Sequence, residues 1–180
     1  MNLMRIFLFL IIFILTFSQV QNPELSMPKI NNNLIFENEE LLFSFKLINC
    51  NRVITVAISK ENDYIIFRMG TEDELDLVFP NDTLNSWEFF IYNYYNRGGG
   101  AENLGMNVEH LTFYVENVCY KIYYEYTAVN DETKVGIYVY EYNDEGLINN
   151  TSTLQLDGDV SSILGGLWKL RDTKVERIML

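Results

Sequence analysis

From Val118 to Thr127 the side chains alternate without a break. Val118, Tyr120, Ile122, Tyr124 and Tyr126 fall on one face of an extended backbone, and Cys119, Lys121, Tyr123 and Glu125 fall on the other. A period of two places a strand with two unlike faces, whereas a helix of the same sequence would scatter the tyrosines around its circumference. The preceding run, Val108 to Glu116, keeps the same rhythm, with Leu111, Phe113 and Val115 set against His110, Thr112 and Tyr114. Glu116 and Asn117 lie at the junction, so the two runs are predicted to form a tight hairpin.

The rest of the chain follows suit. Leu41 to Leu47, Arg52 to Ser59, Tyr64 to Met69, Glu74 to Phe79, Trp87 to Tyr95 and Lys134 to Asn143 read as strands, with Thr151 to Leu156 and Leu167 to Arg171 as weaker ones. Gly70-Thr71-Glu72-Asp73 suits a hairpin that sets Ile65, Phe67 and Met69 beside Leu75, Leu77 and Phe79, and Arg68 across from Glu74 and Asp76 as an ion pair. Asp157-Gly158-Asp159 reads as an acidic turn. About eight to ten short strands at this spacing predict an all-β fold, an antiparallel sandwich or barrel.

Residues 1–18 have the layout of a secretory signal peptide: Arg5, the apolar run Ile6 to Leu15, and Thr16 and Ser18 at the positions before a cleavage point at Gln19. The apolar run is shorter than the roughly 20 residues of a membrane span. A cleaved chain is the expectation, with no stable span afterwards, and an uncleaved anchor is the alternative. Residues 19–33, with Pro23, Pro28 and three consecutive asparagines, read as a linker, and residues 34–180 as a single β domain. The implied location is periplasmic or secreted.

A net charge of −12, with no cluster of Lys or Arg, argues against nucleic acid as a partner. A basic protein is a better match, because opposite charge speeds encounter. In an oxidising compartment Cys50 and Cys119 could form a disulfide. Two cysteines and one histidine are too few for a structural zinc site, and no metal or other cofactor is expected.

One segment breaks the strand rhythm. Arg97-Gly98-Gly99-Gly100-Ala101-Glu102-Asn103-Leu104-Gly105 brings glycine, charge and amide side chains together after Tyr95. It lacks the spacing of a dinucleotide loop, the Lys-Ser/Thr ending of a P-loop, and a helix to hold phosphate. It reads as a strand-to-strand excursion in which Arg97 is able to pair with a carboxylate such as Glu102. Its residues Arg97, Gly98, Gly99, Gly100, Glu102 and Asn103, with Tyr95, form a candidate recognition loop. Tyr123, Tyr138 and Tyr140 are expected to point outward, where phenol rings anchor a protein interface or stack on sugars.

Catalytic devices find little support. His110 is the single histidine, and no nucleophile elbow or cysteine signature accompanies it. Glycoside hydrolysis needs two carboxylates about 5 to 9 Å apart, with the acid buried. Glu102 and Glu125 are the candidates for that reading.

The run Ile66-Phe67-Arg68-Met69-Gly70-Thr71, followed by Leu75 to Pro80, Tyr95 to Gly105 and Tyr120 to Tyr126, resembles a pattern of small, largely uncharacterised exported bacterial all-β proteins. Its most specific piece is Arg97-Gly98-Gly99-Gly100. The resemblance implies export and an all-β fold and carries no catalytic residues with it. Ala57 stands where such proteins place the cysteine partner of one in the first strands. These readings converge on an exported, non-enzymatic binding protein, an inhibitor or immunity-type protein acting on a protein target in the cell envelope. A carbohydrate-binding module is the alternative, and a glycoside hydrolase the third reading.

Overall fold

A computed structural model describes residues 32–142 and 153–180. The expected signal peptide and most of the expected linker lie outside these residues, as does the stretch 143–152. Among the described residues ten strands form one sheet: β1 (Glu39–Leu47), β2 (Val53–Ser59), β3 (Ile65–Gly70), β4 (Leu75–Phe79), β5 (Phe90–Arg97), β6 (Met106–Val115), β7 (Val118–Thr127), β8 (Glu132–Glu141), β9 (Leu154–Gly165) and β10 (Glu176–Met179). Their order is β10-β5-β6-β7-β8-β9-β1-β2-β3-β4, and every pairing is antiparallel except β10 on β5. The expected sandwich or barrel is thus a single curled sheet, a half-barrel with β10 and β4 at its edges.

Curling brings the two halves face to face around an aromatic core. Phe113 of β6 lies 4.8 Å from Phe67 of β3 and 4.7 Å from Phe79 of β4, ring centre to ring centre, and 5.1 Å from Tyr120 of β7. Phe43, Phe45, Ile54, Val56, Ile65, Phe90, Leu111, Ile122 and Ile137 complete this inner face. They come from alternate positions of their strands, as the period of two requires.

The central hairpin is where the sequence places it. Val115 pairs with Val118 across the Glu116-Asn117 turn, and the register runs without a shift to Met106 and Thr127. Three other expectations are corrected. Asp157-Gly158-Asp159 is not a turn but part of β9, because Gly158 makes room for Phe45: a Cβ there would fall 2.4 Å from the Phe45 ring. The chain loops out just beyond, between Asp159, paired with Lys46, and Leu164, paired with Ser44. Asp159 holds that excursion by accepting bonds from the Ser161 amide and hydroxyl.

Leu167 to Arg171 is no strand. Residues Leu167–Asp172 form a 3-10 turn that plugs the curl with fully buried Leu167 and Leu170. Arg171 reaches from it to Glu109 of β6, 2.9 Å away.

The third correction concerns Arg68. Asp76 pairs with Arg52, while Arg68 is buried on the opposite face of the sheet from the aromatic core and is held by Glu39. Both guanidinium Nη atoms donate to the carboxylate, at 2.6 and 2.7 Å. Glu39 also accepts from the Phe36 amide and the Tyr64 hydroxyl. Arg68 donates to the Leu34 carbonyl and lies 4.4 Å from the Phe36 ring centre. The pair therefore straps residues 34–39 across β1 to β3, which is why this face, unlike an ordinary outer face, is dry.

Removing Arg68 would leave the Glu39 carboxylate buried without its cation. Arg68→Ala is expected to cost about 3–5 kcal/mol in urea unfolding. The double variant Arg68→Met/Glu39→Gln, which buries no orphan charge, is expected to recover part of that loss. A single-variant cost below about 1 kcal/mol, the level of an exposed pair, would show that the strap is not held this way.

Candidate functional site

The side of β5 to β9 turned away from the aromatic core carries the sequence-predicted residues. Register arranges them in cross-strand rows. Ile91, Thr112, Lys121, Tyr138 and Gln155 form one row, and Asn93, His110, Tyr123, Gly136 and Asp157 the next. Beyond them come Tyr95, Val108, Glu125 and Lys134, and then Arg97, Met106, Thr127 and Glu132. On the other flank Tyr114, Cys119 and Tyr140 line up. Tyr95, Arg97, Tyr123, Tyr138 and Tyr140 thus share one face, and the glycine segment lies at its end.

Tyr123 lies on the outward face but is not exposed there as expected. It is buried, with only 2% of its surface exposed. Its ring lies over Gly136, where a Cβ would stand 2.4 Å from the phenol oxygen. Lying there, its hydroxyl donates to Asp157 at 2.7 Å, while Gln155 donates to both groups. Burial is the main reason its hydroxyl resists ionisation, and the Asp157 carboxylate adds to it.

Tyr138 and Tyr140 are half-buried and stand beside each other, 5.8 Å apart and nearly parallel. Tyr123 backs Tyr138 at 4.7 Å. The Lys121 ammonium sits 5.5 and 5.3 Å from the two ring centres, within cation–π reach. His110 and Glu125 are joined at 3.1 Å. Burial lowers the His110 pKa from its ordinary value, and the bond to Glu125 opposes that shift only in part.

The possible Cys50–Cys119 bridge is not formed. Cys119 is buried beneath this face, and Cys50 is exposed in the turn between β1 and β2. Burial also raises the Cys119 thiol pKa.

The glycine segment is folded on itself. Gly99 and Gly100 adopt φ of 100° and 64°, values that glycine takes without strain. The Arg97 Nε donates to the Leu104 carbonyl at 2.9 Å rather than to Glu102. The Asn103 amide donates to the Gly99 carbonyl, and Gly105 to that of Gly100. Ala128 donates to Gly105, which ties the loop to the end of β7. Glu102 is exposed at the tip, and Gly98 borders open space.

Sequence reasoning missed Glu109. It shares the inner face with Leu111 and Phe113, and that charge in an apolar row was the available signal. Its carboxylate is 1% exposed and bonded to Arg171 and Asn107. Burial raises its pKa, and the bonds from its neighbours offset this only partly. Arg171 also lies 4.9 Å from the Tyr94 ring centre and donates to the Tyr92 hydroxyl. This inner cluster fastens the plug to β5 and β6.

Among the described residues no helix is long and apolar enough to cross a membrane, and no group of His, Cys, Asp and Glu is arranged to hold a metal ion. Comparison with known proteins returns no matching family model, no matching curated protein and no matching solved structure.

Tyr92 is fully buried, and its pKa is pushed up from 10.0 to about 12, chiefly by burial. In the unfolded chain this phenol ionises near the ordinary value. Its contribution to stability is therefore complete below pH 10 and is lost as pH rises toward about 12. Near-ultraviolet titration is expected to show exposed tyrosines ionising first, with a late phase that coincides with unfolding. A single phase near the ordinary value, with the fold intact, would contradict the burial of Tyr92 and Tyr123.

Proposed function

We propose that this chain is an exported, non-catalytic binding protein that captures a protein target in the cell envelope, as an inhibitor or immunity-type protein does. The observation carrying this reading is the braced pair Tyr138 and Tyr140, set around Lys121 on the outer face of β7 and β8. Half-exposed tyrosines on rigid strands suit an interface anchor, since they offer large contact area with few rotamers left to freeze.

The state of the neighbouring polar groups favours a protein over a sugar. A glycan platform needs side chains free to bond sugar hydroxyls as well as a ring to stack on. Here Asp157, Gln155 and Tyr123 bond to one another, and His110 bonds to Glu125. The same commitment weakens the hydrolase reading, because Glu125 is occupied and Glu102 stands solvated at a loop tip.

Charge plays a secondary part at this face, where Arg97, Lys121 and Lys134 stand against Glu125, Glu132 and Asp157. The net charge of −12 acts at longer range, drawing in a basic partner and speeding encounter.

The test is capture of a partner from envelope extract, followed by affinity measurement with the purified partner. Tyr138→Ala/Tyr140→Ala is expected to weaken binding by about 2 kcal/mol or more, roughly 30-fold, mostly through faster dissociation. Glu132→Gln is expected to alter mainly the association rate and its salt dependence. Undiminished affinity in the double tyrosine variant would remove the face from the model. Glycan-array binding with no protein partner would transfer the site to the carbohydrate reading.

A further inference from the structure

Among the described lysines and arginines, Arg52, Arg68, Lys121, Lys169 and Arg171 are buried or half-buried. All but Lys121 have an oxygen acceptor within the fold. Arg52 is held by Asp76, Arg68 by Glu39 and Arg171 by Glu109, and Lys169 donates to the Leu41 carbonyl. Lys121 has only the rings of Tyr138 and Tyr140 beside its ammonium. A chain with 25 acidic residues thus leaves this half-buried cation without a carboxylate, at the centre of the tyrosine face.

The neighbouring charges are already engaged. Glu125 is joined to His110 at 3.1 Å, Asp157 accepts from Tyr123 and Gln155, Glu132 lies 3.5 Å from Lys134, and Arg97 donates to the Leu104 carbonyl. Burial is the chief cause of the lowered His110 pKa, and the nearby Lys121 charge pushes it the same way. Thr112 and Tyr138 flank Lys121 on the adjoining strands, which leaves the outward direction for an acceptor.

Water satisfies the three N–H donors of this ammonium while the face is open. A protein surface laid over Tyr138 and Tyr140 removes that water, and a desolvated cation is costly unless an anion meets it. The rings attract the charge but offer the N–H groups no oxygen.

We propose that the partner sets an aspartate or glutamate side chain on Lys121, beside Tyr138 and Tyr140, as the charged centre of the interface. The inference rests on the tyrosine face being the binding surface. The carboxylate completes the hydrogen bonds of the ammonium, and the rings shield the pair from water, where an ion pair is stronger than on an open surface. A basic partner and an acidic anchor act at different distances: the long-range field draws the partner in, and the single contact fixes its register.

The test titrates the full chain with the capped peptides acetyl-Leu-Glu-Leu-amide and acetyl-Leu-Gln-Leu-amide, following Lys121, Tyr138 and Tyr140 by NMR. The glutamate peptide is expected to bind there about three- to fivefold tighter, and added salt to narrow the difference. Lys121→Met is expected to abolish the preference and Lys121→Arg to keep it. Neither should lower the melting temperature, because Lys121 holds no ion pair among the described residues. Against the captured partner, Lys121→Met is expected to weaken binding about 30-fold or more, and neutralising the matching partner carboxylate as well to restore part of the loss. No saturable shift at these residues, equal binding of the two peptides, or a preference that survives Lys121→Met would each overturn the proposal. Full partner affinity in Lys121→Met, with loss in Tyr138→Ala/Tyr140→Ala, would also overturn it and leave the tyrosine face standing. Full affinity in both variants would remove the face itself, and this anchor with it.

Discussion

Phe113 is the point on which the architecture turns. Its ring touches Phe67 and Phe79 from the first four strands and Phe90 and Tyr120 from the next ones. No hydrogen bond closes the sheet between its edges β4 and β10, so side-chain packing must hold the curl. Aromatic side chains suit that task, because each buries a large area and adjusts its tilt to a neighbour while keeping contact. The curl in turn decides which alternate residues become core. Once Phe113, Leu111 and Ile122 face inward, the period of two turns Lys121, Tyr138 and Tyr140 outward.

Two ion pairs with buried carboxylates secure what the aromatic core does not reach. Arg68 and Glu39 hold residues 34–39 across the outer side of β1 to β3, and Arg171 and Glu109 hold the 3-10 plug inside the curl. Arg68 supplies a planar fork to Glu39 and Arg171 a single bond to Glu109, and each carboxylate is nearly inaccessible to water. Such pairs add little net stability over an apolar substitute, yet breaking one side is costly. Their role here is positional, since each fixes a segment that lacks the hydrogen bonds of a central strand. The strap also explains why one half of the outer face is dry and the other presents tyrosine: residues 34–39 cover β1 to β3, and no described residue is strapped across β7 and β8 in that way.

The pattern in the sequence was legible wherever local alternation decided the outcome. Val118 to Thr127 and its hairpin partner follow their printed rhythm residue for residue. What escaped was set by residues distant in the chain. Gly158 sits in a turn-like tripeptide but lies in a strand because Phe45 fills the space its side chain would take. Tyr123 alternates onto the polar face yet is buried because Gly136, on the next strand, leaves a trough for its ring. Arg68 had plausible partners in Glu74 and Asp76 at short range, and its actual partner Glu39 precedes it by 29 residues. Leu167 to Arg171 has strand-like composition, but the curl offers a cavity for two leucines and no neighbouring strand edge. The tyrosine face was therefore half visible: its members could be named, but not which of them brace and which remain available.

That division matters for how such a face would bind. A ring that swings freely in solution must lose rotamer freedom on contact, at about 0.5–1.5 kcal/mol per side chain. Tyr138 is already fixed between Tyr123 behind it and Tyr140 beside it, and Lys121 steadies both outer rings. Tyr123 is fixed in its turn by Asp157 and Gln155, and by Gly136 beneath it. The burial of Tyr123 thus removes one anchor from the expected set but stiffens the two that remain. With the ordering cost met during folding, more of the contact energy of Tyr138 and Tyr140 is left for a partner.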